Sequence, residues 1–423
     1  MAISTPEGYR ALDDSSVAAY CASVPALRQR LGGDPAGWRV REVGDGNLNL
    51  VFILEGSAGD LCLKQALPYV RLVGEGWPLD LKRALFEHRA ASIQLRHTAG
   101  LIPELLHFDE KLYLIAMEYC RPHVIMRQGM IDAVVYPRFA DHIVEYLATT
   151  LFHTSDMALP AAEKRELVAT FSGNVELCKI TEDLIFTDPY MVCSRNRWTS
   201  PQLDGLAAEI RGDAGLKRAI SGLKLKFLGE AQALLHGDLH TGSIMVTVED
   251  TKVIDPEFAV VGPIGFDVGK LLGNLLLCHF SQRGHEHSPG ERDGYRRWIL
   301  ATVEQVWTGF GRRFVELWTS CPTGDGYPAA LFEGPDGRAS LRQAQDEYMR
   351  ELFRDVLGFA GAAMIRRTLG LAHNIDFERI GEPDRRADCE RRNLRLAREL
   401  LTGAARFASI TEVTARATQI EAA

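Results

Sequence analysis

Apolar positions recur along the first part of the chain with two different periods. Between residues 6 and 37 they fit two short helices, the second opened by Pro25 and closed by Gly32-Gly33, because proline suits a first helical turn and glycine ends a helix. From Trp38 to Val43 the pattern takes on strand character, and Val43 to Leu54 sets a glycine-rich turn, Gly44-Asp45-Gly46-Asn47, between two strands. Leu61 to Ala66 predicts the next strand, and residues 67–79, with Pro68, Gly74, Gly76 and Pro78, predict a loop. Leu79 to Thr98 predicts a helix capped by Asp80, with Leu81, Leu85, His88, Ser92 and Leu95 along one face. Leu105 to Phe108 and Leu112 to Met117 then complete a five-stranded antiparallel set.

From about residue 121 the period becomes helical. Phe139 to Ser155 carries Ile143, Leu147 and Leu151 at i, i+4 and i+8, and Leu216 to Leu235 predicts another helix. Ile244 to Val248 and Thr251 to Ile254 read as a hairpin turning at Glu249-Asp250. Gly265 to Cys278 is apolar nearly all round, which predicts a buried helix. Trp298 to Trp318, Gln343 to Ala372 and residues 384–408 are further helices, and the last fifteen residues are expected to fray.

Composition narrows the class. With 423 residues the chain is long enough for two or three packed units, and 46% hydrophobic with 25% charged residues is ordinary for a globular protein. A net charge of −8 without Lys/Arg runs leaves no electrostatic footprint for nucleic acid. Eight scattered cysteines without a C-x-x-C pair suggest reduced thiols. The N-terminus lacks a basic and apolar leader pattern, and no window approaches ~20 uninterrupted apolar residues, so a cytoplasmic protein that does not enter membranes is expected. His279, His285 and His287 invite a metal reading, but their irregular spacing among turn residues favours a surface loop.

The candidate chemistry gathers around the hairpin. His236-Gly237-Asp238-Leu239-His240 precedes its first strand and Asp255-Pro256-Glu257 follows its second, so one carboxylate meets two others across the hairpin ends. That arrangement suits phosphoryl transfer, with Asp238 orienting or deprotonating a hydroxyl and Asp255 and Glu257 holding Mg²⁺ on nucleotide phosphates. Lys64 lies on the third strand after the glycine turn, in an apolar setting where an unpaired ammonium is costly. It is a candidate phosphate contact, the alternative being a strand lysine facing solvent. Glu87, near the middle of the helix after it, is its candidate partner, the alternative being a solvated helix glutamate. Asp267, near the start of the buried helix, is placed to hold the backbone of the Asp238 loop.

HGDLH resembles the catalytic loop of the aminoglycoside phosphotransferase and choline kinase-like superfamily. The longer strings HGDLHTGSIMV (236–246) and IDPEFAVVGPIGFDVGKLLGNLL (254–276) resemble the methylthioribose kinase family more narrowly. Kinases usually carry a metal-binding Asn five residues after the catalytic Asp and an Asp-Phe-Gly triplet after the hairpin. Here those positions are Ser243 and Asp255-Pro256-Glu257, departures that the family shares.

The resemblance implies an α+β, protein-kinase-like bilobal fold. Its nucleotide-binding lobe would span residues 1–119, with a small antiparallel sheet, and its mainly helical lobe residues 120–423. It further implies an ATP- and Mg²⁺-dependent kinase acting on the anomeric hydroxyl of 5-methylthioribose, giving the 1-phosphate in methionine salvage, and a homodimer. On this reading Gly44, Gly46, Asn47, Lys64, the hinge Glu118-Tyr119-Cys120, and Asp255, Pro256 and Glu257 meet ATP, while Asp255 and Glu257 bind the metal. Asp238 is catalytic and, with Arg366 and Arg367 in the context MIRRTLG, binds the sugar. Adjacent helical arginines point about 100° apart, so both reach a ligand only at a cleft edge. Kinases of 5-deoxyribose, choline, homoserine or an aminoglycoside, and a nucleotide-binding pseudokinase scaffold, remain the alternatives.

Overall fold

The computed structural model describes residues 5–44, 48–71, 74–371 and 374–422. It has a small N-terminal lobe built on an antiparallel sheet and a larger helical C-terminal part. Helices α1 (Asp14–Ser23) and α2 (Pro25–Leu31) lead the chain. Asp13 caps α1, accepting the Ser15 and Ser16 amides while Ser16 Oγ receives the Asp13 N–H, a reciprocal capping box. Strands β1 (Arg39–Glu42), β2 (Asn49–Glu55) and β3 (Asp60–Ala66) follow, then a ribbon of β4 (Tyr69–Val70) and β5 (Gly74–Pro78), helix α3 (Arg83–Leu95), and strands β6 (Leu105–Asp109) and β7 (Leu114–Met117). The five-stranded sheet has the order β1-β2-β3-β7-β6. Side chains alternate across β3: Leu61 and Leu63 pack beneath α1 and α2 with Val17, Leu27 and Leu31, while Lys64 points the other way.

Two expectations in this lobe are corrected. Residues 67–79 are not a plain loop, since Tyr69 pairs with Pro78 and Val70 with Gly74. Main-chain pairing needs no apolar alternation, and Pro78 sits at a strand end where its missing N–H is tolerated. Helix α3 starts at Arg83 rather than Leu79, because Asp80 Oδ1 accepts the Lys82 amide at 2.9 Å within a preceding turn. Its buried face is Ala84, Phe86, Glu87, Ala90, Ala91 and Gln94, while Leu85, His88, Ser92 and Leu95 are only half-buried. A buried ion pair of Glu87 with Lys64 turns the polar face inward.

The C-terminal part continues with β8 (Val124–Ile125), α4 (Met126–Ile131), α5 (Phe139–His153), α6 (Ala161–Phe171), α7 (Val175–Phe186), α8 (Asp204–Gly212) and α9 (Ala214–Gly229). Next come β9 (Ala233–Leu235), the hairpin β10 (Ile244–Val246) and β11 (Thr251–Val253), and β12 (Val260–Gly262). The helix expected to run to Leu235 therefore stops at Gly229: Ala233 to Leu235 pair with β12, in the register Leu235↔Val260, and so clamp both ends of the segment that holds Asp238 and Asp255. Helices α10 (Gly265–Ser281), α11 (Asp293–Ser320), α12 (Gly337–Leu369), α13 (Ile375–Glu378), α14 (Pro383–Gly403) and α15 (Ile410–Ala422) complete the chain.

Helix α10 is buried along its whole length, as its apolar pattern predicts. It meets α12 through a glycine seam: a Cβ on Gly269 would lie 2.5 Å from Val356 O, and one on Gly273 2.7 Å from Ala360 O. Only glycine allows backbones this close. The predicted surface loop after Cys278 is interior only at its start, where His279 to Ser281 continue the buried α10 and a 3-10 turn over 282–285 buries Gln282 and Gly284, while residues 287–290 are exposed. His285 Nε2 donates to Asp376 O at 2.7 Å. No group of three or more His, Cys, Asp or Glu among the described residues is placed to hold a metal. The C-terminal residues do not fray: Ile410, Val413, Ala417 and Ile420 enter the core at helical spacing, and Glu421 Oε1 accepts from Arg296 at 2.8 Å. No helix among the described residues is long and apolar enough to cross a membrane.

Candidate active site

The segment between β9 and β10 is held from beneath. Asp267, in the first turn of α10, accepts the His236 amide at 2.6 Å and the Gly237 amide at 3.0 Å, the role its position suggested. Gly237 has φ +82°, and a Cβ there would lie 2.1 Å from Phe258 O, so glycine is required. His236 Nδ1 accepts the Asp238 amide at 3.2 Å, which leaves the proton on Nε2 to donate to Ile254 O at 2.8 Å. That histidine ties the Asp238 loop to the Asp255 loop. Ser243 turns inward: its Oγ accepts the His240 amide at 2.9 Å and shares its hydrogen between Asp238 O and His240 O.

On the side of the small lobe, Lys64 Nζ lies 2.9 Å from Glu87 Oε1 and also meets Asp255 Oδ1. Lysine 64 therefore does not face solvent. Burial lowers its pKa, but Asp255, Glu257 and Glu87 outweigh burial and raise it. Asp255 adopts a left-handed conformation at φ +65°, uncommon for a residue other than glycine. Its side chain is half exposed to the cleft. Glu257 is 8% exposed; its Oε2 accepts from Asn49 at 2.9 Å and lies 3.7 Å from Arg83 Nε. Asn174 donates to the Glu257 carbonyl at 2.9 Å, and Pro256 is buried between the two carboxylates.

Glu118 follows β7, its amide donating to Glu104 O at 2.8 Å and its Oε2 3.4 Å from Lys252. Tyr119 is half-buried and Cys120 buried beside it. Gly44 sits exposed after β1, and Gly46 and Asn47 lie outside the described residues.

On the other side, Asp238 is ringed by two cations and a neutral histidine. Lys270 Nζ from α10 meets its Oδ1, His240 Nε2 lies 3.2 Å from its Oδ2, and Arg366 Nη1 from α12 is 3.8 Å from Oδ1. Burial raises the Asp238 pKa, but Lys270, His240 and Arg366 together hold it well below the usual carboxylate range. Arg366 is 8% exposed, and its Nε and Nη1 have no hydrogen-bond partner among the described residues. Arg367, one residue on, is half-buried and lines a cavity of about 180 Å³ with Trp198, Thr199, Asn374 and Glu390. The two arginines thus diverge, as consecutive helical positions do.

Residues 39–318 match the phosphotransferase enzyme family. Methylthioribose kinase 1 of rice (Oryza sativa subsp. japonica) is 47% identical over 410 residues, covering 96% of this chain and 95% of that protein. The methylthioribose kinase of Escherichia coli is 44% identical over 414 residues, 98% of each chain. That of Bacillus cereus is 40% identical over 360 residues, 85% of this chain and 86% of the relative. The chain belongs to the methylthioribose kinase family.

Within this family member, several residues around Asp238 escape a reading by motif. Lys270 is one, although it stands in a helix otherwise apolar nearly all round; the cost of a buried ammonium, which drew attention to Lys64, applies equally there. His240 is a second. Its Nδ1 accepts the Gly242 amide at 2.9 Å, so its Nε2 carries the proton that faces Asp238. Arg127 of α4 is a third, reaching His240 Nδ1 at 3.2 Å and Asp376 Oδ2 at 3.4 Å. No local pattern marks Arg127, Asp376, Asn49 or Arg83, because their partners are distant in sequence.

Proposed function

We propose that this chain transfers the γ-phosphoryl group of ATP to the anomeric hydroxyl of 5-methylthioribose, giving the 1-phosphate used in methionine salvage. The observation that carries the reading is Arg366: a buried guanidinium beside Asp238 whose Nε and Nη1 have no hydrogen-bond partner among the described residues. Buried donors are costly to leave unpaired, so hydroxyl oxygens of a bound sugar are their natural complement. Asp238 accepts a hydrogen bond from the hydroxyl and aims its oxygen at the phosphorus. Arg367 extends the polar wall toward the adjoining cavity.

Lys64, set by Glu87, contacts the α- and β-phosphates, and Glu118 to Cys120 meet the adenine edge, with Gly44, Gly46 and Asn47 covering the phosphates. Asp255 and Glu257 would hold Mg²⁺: both are hard oxygen donors, and two carboxylates with phosphates and waters make a suitable magnesium set. Bound there, the ion neutralises charge on the β- and γ-phosphate oxygens. Residues 1–119 serve as the nucleotide lobe and 120–423 as the substrate lobe. Family relationship supports a homodimer, and eight free cysteines suit the reducing cytoplasm.

A cationic acceptor such as choline or an aminoglycoside calls for carboxylates, whereas Asp238 is surrounded by Lys270, Arg366 and Arg367. A pseudokinase scaffold has no use for the retained Lys64, Asp238, Asp255 and Glu257. A coupled assay for ADP release over methylthioribose, 5-deoxyribose, choline and an aminoglycoside tests the reading. Turnover highest with methylthioribose is expected. Preference for either cationic acceptor refutes it.

A further inference from the structure

Lys270 is 2% exposed, in the middle of a helix buried throughout. Its ammonium meets Asp238 Oδ1, lies 3.3 Å from Gly237 O and sits 5.3 Å over the Phe266 ring. If packing alone decided this position, an aliphatic side chain would serve at no electrostatic cost. The charged groups that act on it come from three elements. Asp238 faces it from the catalytic loop, with His240 on the far oxygen of that carboxylate, and Asp267 from its own helix. Arg366 and Arg367 act on it from α12, and Arg127 of α4 stands further out, on Asn274 Oδ1. Asp238 is the only one of these groups whose side chain bonds Lys270, so the lysine's charge is spent on that carboxylate.

We propose that Lys270 is a positioning residue of the transfer reaction, clamping Asp238 Oδ1 while His240 clamps Oδ2, so that the carboxylate stays anionic and aimed. This rests on the reading above that Asp238 faces the acceptor hydroxyl. A carboxylate offers about four lone-pair sites, so two clamps still leave room for that hydroxyl. In the transfer, the bond from the acceptor oxygen to the γ-phosphorus forms and the bond from that phosphorus to the β–γ bridging oxygen breaks. The hydroxyl proton departs late, through Asp238 to water. A loose transition state demands little prior deprotonation, so a weakly basic carboxylate suffices.

Two pH signatures follow. Lys270 and its neighbours hold Asp238 well below the usual range, so activity persists to low pH before Asp238 is protonated. Burial, beyond what Asp238 returns, pushes Lys270 down to about 8, so its charge is lost as pH rises through that value and the clamp weakens.

The test compares kcat/KM for the sugar against pH in the full-length wild type, Lys270→Met, Lys270→Gln and Asp238→Asn. In Lys270→Met the acid limb should move up by roughly 1–3 pH units, the usual effect of removing an opposite charge. The alkaline limb should vanish, kcat should fall about tenfold or more, and KM for ATP should not change. Lys270→Gln, which keeps a donor without charge, should recover part of kcat while keeping the raised acid limb. If Lys270→Met retains the wild-type limbs, with or without a lower rate, the lysine is only packing. Should neither variant fold, the wild-type profile decides: a flat kcat/KM from about pH 7 to about pH 9 overturns the inference, and an alkaline limb near the Lys270 value supports it. Near-normal turnover in Asp238→Asn refutes the role of Asp238 itself. An inactive Asp238→Asn beside unmoved limbs in Lys270→Met refutes the role of Lys270 alone.

Discussion

Lys64 and Lys270 are both buried against carboxylates of the cleft, and their surroundings pull them in opposite directions. Lys64 stands among Glu87, Asp255 and Glu257, with Arg83 as the neighbouring cation, and its proton is held more tightly than usual. Lys270 stands with Arg366, Arg367 and Arg127 around Asp238, and its proton is held less tightly. The side proposed for the nucleotide therefore carries surplus negative charge, suited to a divalent cation. The side proposed for the acceptor carries surplus positive charge, suited to an oxygen-rich neutral sugar and to the phosphate it would become. One residue type, similarly buried, serves opposite electrostatic ends because burial amplifies whatever charges lie nearest.

The contrast is sharpest at Asp238. Replacing Asp238 with Asn removes the anion on which the acceptor-side cations converge, and kcat should fall by ~10²–10⁴-fold. Affinity for ATP, set on the other side, should stay near wild type in an equilibrium binding measurement. A matching loss of ATP affinity would mean that the two sides are not separate.

Arg366→Ala should raise KM for the sugar roughly 10- to 150-fold, the cost of a lost charged hydrogen bond, with KM for ATP unchanged. Arg367→Ala, directed at the adjoining cavity, should give a smaller change in the same constant. If both variants weaken ATP instead, the arginines belong to the nucleotide side and the comparison fails.

On the nucleotide side, Glu257→Gln should raise the Mg²⁺ concentration for half-maximal activity by roughly 10- to 100-fold without altering sugar affinity at saturating Mg²⁺. An unchanged Mg²⁺ titration would remove Glu257 from the metal site and leave it as an anchor for Asn49 and Arg83.

The smallest effect concerns scaffolding. Gly273→Ala puts a methyl group against the α12 backbone at Ala360, costing about 1–3 kcal/mol of stability by overpacking. Because α12 carries Arg366, the shift should also raise KM for the sugar and spare ATP. Urea denaturation and steady-state kinetics on one preparation would show both. A raised KM for ATP would mean that the α10–α12 seam supports the whole cleft.

Much of this was legible along the chain. Glycine at 237, aspartates at 238 and 255 and the hairpin between them form a contiguous signature, since the turn, the strands and the carboxylates lie within twenty residues. The five strands of the small sheet and the buried α10 follow from local periodicity, whereas the strand order does not. Where sequence reasoning missed, the decisive partner was remote. The ribbon at residues 69–78 forms by main-chain pairing that side chains do not advertise. The inward face of α3 is set by Lys64, 23 residues before Glu87. The fraying expected after residue 408 is overturned by α11 and α14, against which α15 buries Ile410, Val413 and Ala417.

What the sequence determined by itself is what local order imposes: an aspartate loop turned on glycine, carboxylates at the two ends of a hairpin and a paired-arginine helix. Only the tertiary structure decided the electrical character of each half of the cleft. Lys270 reaches Asp238 across 32 residues and Arg366 across 128, and that convergence depends on the Gly269 and Gly273 seam drawing α12 against α10. Coulomb energies depend on distance in space and on burial, and neither quantity is carried by position along a chain.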